Sequence, residues 1–230
     1  MRSGKKDAAR SSSAGKRDLG AEEIRSWCAE RGFPLSRTEA DGLALYLSLL
    51  CKWNRVMNLV GPSDPAAVLR DLVADSLHLA DFLRELSLPE APETWDLGAG
   101  AGLPGIPLRL LWRRGSYTLI EARDRRSAFL QTVLAVCPLP GVRVYRGRAE
   151  AFLAGHFSAD LVLSRAFMPW EQVLALVSGH IAPRGCCLFL ALTPAPPPPE
   201  GWSLLAQRAY AAGANDRRHF WVFTPDTVFE

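Results

Sequence analysis

The sequence predicts an α/β fold, with a mostly parallel sheet covered by helices on both faces. Three observations indicate it. About half of the 230 residues (48%) are apolar, segments of strand and helix character alternate after Pro92, and a glycine-rich turn joins the first of these strands to the first of these helices. Such alternation implies parallel strands with right-handed crossovers, and ligands then bind outside the carboxyl ends of the strands.

The first 18 residues are rich in Ser, Gly, Lys and Arg and have no periodic apolar positions. They hold six basic and two acidic side chains, a balance of +4, so the rest of the chain is close to −1 although the formal net charge is +3. We expect residues 1–18 to form a disordered basic tail. Such a tail is either a solvated segment without function or a weak electrostatic contact to RNA.

Residues 19–88 predict an N-terminal helical cap. A short helix over residues 21–31 ends at Gly32. Leucines and a tryptophan recur at three- and four-residue spacing over residues 38–56, which predicts a second helix. An amphipathic run of similar periodicity follows Pro65 and completes the cap.

Residues 89–230 predict the sheet domain. Its strands are expected at residues 94–97, 117–121, 142–146, 160–164 and 186–192, and the helices between them at residues 106–113, 124–136, near 150 and at 170–181. Residues 193–201 form a stiff proline-rich loop. Two last strands, at residues 202–210 and 219–223, are expected to close the sheet as an antiparallel pair.

The turn after the first strand carries a carboxylate as well as glycines. Gly100 to Gly105 satisfies the pattern GxGxxG, which alone is a weak sign of a dinucleotide site. Asp96 stands just before it, where its charge would repel a pyrophosphate and attract an ammonium group. S-adenosylmethionine carries an ammonium and a sulfonium, so we expect Asp96 to hold its amino group while Gly98 and Gly100 let the backbone approach.

Three further strand ends fit a bound nucleoside. Glu121 ends the second strand, where a carboxylate can accept both ribose hydroxyls, although a nicotinamide cofactor would use the same residue and a surface acid is the plain alternative. After the third strand, Ala149 is expected beside an adenine. Residues 164–167 follow the fourth strand and lack the Asn/Asp-Pro-Pro-aromatic sequence of amino-group methyltransferases, so we expect the methyl acceptor not to be an exocyclic amine.

Four motifs together resemble one family. They read KWNRVMNL at residues 52–59, DSL at 75–77, DLGAGAGLPGIP at 96–107 and SRAF at 164–167. In this order they resemble the bacterial small-subunit ribosomal RNA guanine-N7 methyltransferases, also called the glucose-inhibited division protein B family, over roughly residues 40–192. The combination is far more specific than any single motif.

The resemblance implies a class I methyltransferase fold with an N-terminal helical extension. It implies methyl transfer from S-adenosylmethionine to N7 of one guanine in small-subunit ribosomal RNA, either as RNA or as the assembled subunit. By the family pattern, Gly98 and Leu103 line the methionine end of the cofactor, and Ala149 and Glu150 flank its adenine. Arg165 reaches the cofactor site and is the candidate catalytic residue. Arg218 matches an arginine of the family's last strand and is a candidate substrate contact.

Two positions depart from the family pattern. Thr193 stands where members often have a lysine after the fifth strand, and Leu72 stands where a histidine often precedes the Asp-Ser pair. Both departures concern substrate contacts more than the cofactor site.

The chemistry of N7 agrees with the motifs. N7 has a lone pair and no proton, so in-line attack on a sulfonium methyl needs no general base, and positioning with charge placement provides the catalysis. N7 lies in the deep groove of paired RNA, so we expect a target in a loop, stacked on Phe167 or Trp170 unless Trp170 packs in the core. Arg123, with Arg125 and Arg126, is expected at RNA phosphates unless this group is only a solvated face.

Other classes of protein are disfavoured. The five cysteines show no CxxC spacing and the four histidines are scattered, so neither a metal site nor a disulfide scaffold is predicted, and Cys137 is expected to be structural. The sequence has no signal-peptide pattern and no apolar run of about 20 residues. We expect a cytoplasmic monomer without a membrane partner.

Three other functions stay open at this point. They are a small-molecule methyltransferase on the same fold, a nicotinamide oxidoreductase, which Asp96 disfavours, and a non-catalytic RNA-binding homologue. Binding of S-adenosylmethionine against NAD separates the oxidoreductase from the others. Cofactor binding without transfer to any RNA would indicate the non-catalytic protein.

Overall fold

A computed structural model describes residues 18–156, 158–213 and 216–226 of the chain. The predicted tail, residues 1–18, therefore lies outside the described residues except for Asp18. The carboxylate of Asp18 accepts a hydrogen bond from Ser48 Oγ at 3.1 Å, which joins the start of the described chain to the second helix.

Helices make up the first part of the described chain. Helix α1 spans Ala21–Ala29, α2 Arg37–Met57 and α3 Pro65–Val68; a π-helical turn, Leu69–Val73, leads directly into α4, Ala74–Glu85. Helix α2 begins with a capping box. The Glu39 N–H donates to Ser36 Oγ at 3.3 Å, and the Ser36 N–H donates to the Glu39 carboxylate at 2.7 Å.

Within the described residues, seven strands form one sheet in the order β3-β2-β1-β4-β5-β7-β6. They are β1 Glu93–Leu97, β2 Ser116–Glu121, β3 Val142–Arg146, β4 Ala159–Ser164, β5 Ile181–Ala191, β6 Trp202–Gly213 and β7 Asp216–Pro225. Strands β1 to β5 pair in parallel, and β7 pairs antiparallel with both β5 and β6. The predicted mostly parallel α/β sheet with a final antiparallel pair is confirmed. The strand order reverses between β1 and β4, which is where such sheets bind ligands.

Helices connect the parallel strands and cover both faces of the sheet. They are α5 Gly105–Leu111, α6 Asp124–Val136, α7 Ala149–Leu153 and α8 Trp170–Val177. One apolar cluster contains Trp95, Phe152 and Val173. The other joins Leu119 and Leu188 of the sheet to helices α1, α2 and α4. The N-terminal helices therefore share a core with the sheet, and their division at residue 88 into a separate cap stays a prediction.

The structure differs from the prediction at the start of β5. Helix α8 ends at Val177, and Ile181 already pairs with Ala159 of β4, although the sequence favoured a helix to residue 181 and a strand from 186. The register shifts between this first pair and the next one. Pro183 lies in the shifted segment and has no N–H to donate to a ladder, which hid the strand's beginning from sequence patterns.

Asn54 closes the turn that follows α2. Its side chain is 7% exposed; it accepts a hydrogen bond from the Val60 N–H at 2.9 Å and donates one to the Pro62 carbonyl at 3.0 Å. The first asparagine of the KWNRVMNL motif thus has a structural role. It satisfies two backbone groups that the turn would otherwise leave without partners.

We predict that Asn54→Ala lowers the free energy of unfolding by about 1–3 kcal/mol, because it leaves two backbone groups of a partly buried turn without partners. Urea denaturation followed by circular dichroism measures the change. Val56→Ala is the matched control, since Val56 lies on the same helix and is 78% exposed. The control should change the free energy by less than about 0.5 kcal/mol. Equal effects of the two substitutions would contradict the assignment.

Candidate functional site

The loop between β1 and α5 has the backbone geometry of a ligand site. Gly98 has a φ of 68°, in the left-handed region that favours glycine. A Cβ atom at Gly98 would lie 2.5 Å from Cδ2 of Phe167. The bare backbone therefore lets the loop after β1 approach the bend after β4 at the carboxyl edge of the sheet.

Two side chains of the N-terminal helices hold this loop. The Tyr46 hydroxyl of α2 donates a hydrogen bond to the Ala101 carbonyl at 2.8 Å, and Ser76 Oγ of α4 donates one to the Pro104 carbonyl at 3.1 Å. Both hydrogen bonds are buried. The helices that precede the sheet are thus part of what fixes the shape of the site.

Asp96 lies in the interior, near the start of α5. Its side chain is 2% exposed and accepts a hydrogen bond from the Tyr117 hydroxyl at 3.0 Å. Burial raises the pKa of the Asp96 carboxyl to about 7, although the Tyr117 hydrogen bond and the charge of Arg165 act to lower it. Gly105 allows this placement, because a Cβ there would lie 2.5 Å from Asp96 Oδ2.

Glu121 is held in place by the backbone. Its carboxylate accepts one hydrogen bond from the Gly100 N–H and one from the Arg123 N–H, each at 2.8 Å. The side chain is 5% exposed. A carboxylate has about four acceptor positions, so two bonds to the backbone leave capacity for a ligand's hydroxyl groups. The loop after β1 and the loop after β2 are joined by this one side chain.

A cavity of about 220 Å³ opens beside Glu121. Six residues predicted from the sequence meet in its lining, namely Gly98, Glu121, Arg123, Arg126, Ala149 and Phe167. The remaining lining residues are Ile120, Ala122, Gly147 and Ala166. The carboxyl ends of β1 to β4 therefore contribute to one concave site, as the strand order leads one to expect.

The other predicted cofactor residues lie around this cavity rather than in its lining. Gly100 contributes its N–H to Glu121. Leu103 is 9% exposed and belongs to the apolar core. Glu150 is exposed in the first turn of α7, where a backbone hydrogen bond and Arg148 lower the pKa of its carboxyl. The cofactor contacts of these residues and of Asp96 stay predictions.

Two of the predicted arginines, Arg165 and Arg218, meet at Asp75, a carboxylate for which the sequence predicted no role. Arg165 Nη2 lies 3.3 Å from Asp75 Oδ2, and Arg218 Nη1 lies 2.7 Å from Asp75 Oδ1. Asp75 is 2% exposed. Arg218 also donates to the Asp71 carbonyl at 2.8 Å and to the Asp216 carboxylate. The sequence pointed to Asp75 only through the DSL motif, which did not indicate its partners.

Three other positions named from the sequence make contacts within the protein itself. Trp170 packs on Phe223 with a centroid distance of 5.7 Å, which is the core role that the sequence left open. Leu72 is partly buried against the apolar core. The Thr193 carbonyl accepts a hydrogen bond from the Trp221 indole at 2.8 Å. The five cysteines, including Cys137, are buried and free of disulfide bonds.

The arrangement suits a nucleoside-bearing ligand. It offers a fixed carboxylate for hydroxyl groups, bare backbone at Gly98, and small residues where a flat ring could lie. Within the described residues, no group of three or more His, Cys, Asp or Glu side chains could hold a metal ion. No helix in the described parts of the chain is long and apolar enough to cross a membrane.

Comparison with known sequences identifies close relatives. A family described as rRNA small subunit methyltransferase G (GidB) matches residues 39–192. The ribosomal RNA small subunit methyltransferase G of Nitratidesulfovibrio vulgaris is 51% identical over 216 residues, which cover 94% of this chain and 99% of that protein.

Solved structures of similar fold are more distant in sequence. The putative methyltransferase YhhF from Escherichia coli has a TM-score of 0.53 at 20% identity and covers 66% of this chain and 86% of its own. A mutant of MtNAS in complex with S-adenosylmethionine has a TM-score of 0.53 at 16% identity and covers 89% of this chain and 77% of its own. At these identities the two structures show the shared fold alone.

We predict that Tyr117→Phe raises the pKa of the Asp96 carboxyl above about 7, because the lost hydroxyl stabilises the charged form. Carbon-13 NMR of labelled aspartate across a pH series measures the pKa of this carboxyl. Thr118→Val is the control, since Thr118 is buried in the same strand and its hydroxyl has no partner within the described residues. An unchanged or lower pKa in Tyr117→Phe would show that this hydrogen bond is absent in solution.

Proposed function

The chain belongs to the rRNA small subunit methyltransferase G family, and we propose that it transfers a methyl group from S-adenosylmethionine to N7 of a guanine in small-subunit ribosomal RNA. Family membership over most of the chain favours this activity over a nicotinamide oxidoreductase or a small-molecule methyltransferase. The fold agrees, because the sheet has the order and the helical cover of a class I methyltransferase.

The cavity beside Glu121 is the observation that supports the proposal most directly. It lies where the strand order reverses, and it brings together six residues that the sequence assigned to the cofactor or the RNA. Glu121 is proposed to accept the ribose hydroxyls, since two backbone N–H groups hold its carboxylate in place. Ala149 is proposed to lie beside the adenine and Gly98 beside the methionine. Arg165 is proposed to reach this site from the bend after β4.

The transfer itself asks for positioning rather than acid–base chemistry. When bound, the cofactor would supply an electrophilic methyl group on a sulfonium: the lone pair of guanine N7, which carries no proton, would form the N–CH3 bond while the S–CH3 bond breaks and its electrons stay on sulfur, leaving a neutral thioether. The chain therefore needs to align two reactants and exclude water, which the rigid loop at Gly98 and the Phe167 ring above it favour. No residue has to remove a proton from N7.

The RNA is proposed to approach over the arginines of α6. Arg123 and Arg126 line the cavity, and Arg125 is exposed beside them. Guanidinium groups bind phosphates well, and Phe167 offers a ring on which an unpaired guanine can stack. Arg218 is proposed to act within the protein, because its donors already bond to Asp71, Asp75 and Asp216. We further propose that the protein acts as a monomer in the cytoplasm, on ribosomal RNA or on the assembled small subunit.

Methyl transfer from labelled S-adenosylmethionine to unmodified small subunits and to their purified RNA tests the proposal, with the product nucleoside identified. Label in 7-methylguanosine is expected. Glu121→Gln should lower cofactor affinity tenfold or more, since a hydrogen bond to a charged group contributes about 1.5–3 kcal/mol. Asp124→Asn is the matched control, an exposed acid three positions away that pairs with Arg146. Cofactor binding with no label in either substrate would point to the non-catalytic RNA-binding role.

We predict that cofactor affinity rises with pH through about 7, because a deprotonated Asp96 would pair with the ammonium group and its carboxyl has a pKa of about 7. The free cofactor amine also titrates near this range. The quantity to measure by calorimetry is therefore the affinity of the unaltered protein divided by that of Asp96→Asn. This ratio should increase about tenfold from pH 6 to pH 8. A ratio independent of pH would remove Asp96 from the cofactor contacts.

A further inference from the structure

Asp75 is a buried carboxylate on which three other elements converge. Its Oδ1 accepts hydrogen bonds from Arg218 Nη1 of β7 at 2.7 Å and from the Tyr210 hydroxyl of β6 at 2.9 Å. Its Oδ2 faces Arg165 Nη2, in the bend after β4, at 3.3 Å. The Asp75 side chain is 3% exposed. A carboxylate this deep must be paired, and both of its oxygens are.

The two arginines of the cluster are held very differently. Arg218 is bonded on all sides: Nε donates to Asp216 at 2.9 Å, and Nη1 donates to Asp75 and to the Asp71 carbonyl. Its charge is therefore balanced by Asp216 as well. Among the described residues Arg165 forms one ion pair, the longer contact to Asp75, and its side chain is 22% exposed. Since a guanidinium has five N–H donors, Arg165 keeps donors that a ligand can use.

Arg165 also lies within electrostatic reach of a second buried carboxylate. Its positive charge acts to lower the pKa of the Asp96 carboxyl, which burial raises. Ala166 follows with a φ of 51°, and Phe167 then lies against Gly98. The side chains of this bend therefore point in two directions: Arg165 contacts α4, and Phe167 lines the cavity.

We propose that Asp75 is a positioning residue for methyl transfer: its Oδ2 holds the Arg165 guanidinium against α4, at the bend whose next two residues line the cavity, and keeps it from pairing with Asp96. The proposal rests on the function proposed above. Without the negative charge of Asp75, Arg165 is drawn to the remaining carboxylate, Asp96. The cation is then misplaced, and Asp96 is no longer available to a cofactor ammonium.

Asp75→Asn is the variant that tests this arrangement with little change of shape. Two donors, from Arg218 and Tyr210, face the Oδ1 position, so the amide oxygen of the asparagine should occupy it. The amide NH₂ group then faces Arg165 and repels it. Tyr210→Phe is the matched control, because it removes a hydrogen bond from the same carboxylate and leaves the Oδ2 contact to Arg165 intact.

The rate of transfer to small-subunit RNA is measured for these variants, for Arg165→Ala and for the double variant Asp75→Asn with Arg165→Ala, with thermal unfolding alongside. Asp75→Asn should lower kcat/KM at least tenfold. The double variant should be within about twofold of Arg165→Ala alone, because Asp75 acts through Arg165. Tyr210→Phe should stay within about twofold of the unaltered protein. A double variant that loses the product of the two single losses, or a Tyr210→Phe loss equal to that of Asp75→Asn, would show a merely structural role and overturn the proposal.

A second readout needs no RNA and so separates this proposal from the proposed function. In Asp75→Asn the relocated Arg165 should lower the pKa of the Asp96 carboxyl below about 7, which carbon-13 NMR measures. The cofactor affinity should fall at the same time. An unmoved Asp96 titration overturns the proposal even if transfer is lost. Absence of transfer in the unaltered protein, with the Asp96 titration shifted as expected in the variant, would reject the proposed function and leave the positioning role standing.

Discussion

The site depends on one constraint: the backbone after β1 must be bare enough for a ligand to approach, and yet fixed. Glycine makes the backbone bare but does not keep it fixed, because glycine has the greatest conformational freedom in the unfolded chain. The structure restores rigidity with hydrogen bonds from elsewhere in the chain. Tyr46 and Ser76 bind carbonyls of the loop, and Glu121 binds the N–H of Gly100. The N-terminal helices are therefore part of the ligand site in an energetic sense, although none of their side chains lines the cavity in the described residues.

The structure also buries three carboxylates near the site, and each has a different set of hydrogen-bond donors. Glu121 is bonded by backbone N–H groups, Asp96 by the Tyr117 hydroxyl, and Asp75 by two arginines and a tyrosine. The difference in donors explains the difference in chemistry. A carboxylate with charged partners is satisfied by the protein, whereas burial with a single neutral donor raises the pKa of Asp96 to about 7. The charged form of a carboxylate with so few donors is the one that a cationic ligand would stabilise most.

Most of the fold was predictable because its signals are local. Parallel strands buried on both faces read as short apolar runs, and prolines and glycines mark their ends. Six residues of the cavity were predicted for a related reason, since parallel strands bring their carboxyl ends to one edge. The orientation of Asp96 was not predictable, because an acid within a buried strand gives no sign of its partner. The Asp75 cluster was hidden as well, since its members lie on four elements far apart in the sequence and no spacing rule connects them.

The distance along the chain between Asp75 and its partners has a consequence for biosynthesis. Asp75 and Arg218 are 143 positions apart, and Tyr210 lies nearly as far along. A ribosome that makes this chain completes α4 and the glycine loop long before β6 and β7 leave the exit tunnel. Until then the carboxylate of Asp75 lacks two of its donors. Burying it by packing α4 against the sheet is therefore unfavourable. Translation that stops before β7 thus yields a polypeptide that contains every residue of the cofactor cavity and still lacks the interactions that complete the protein.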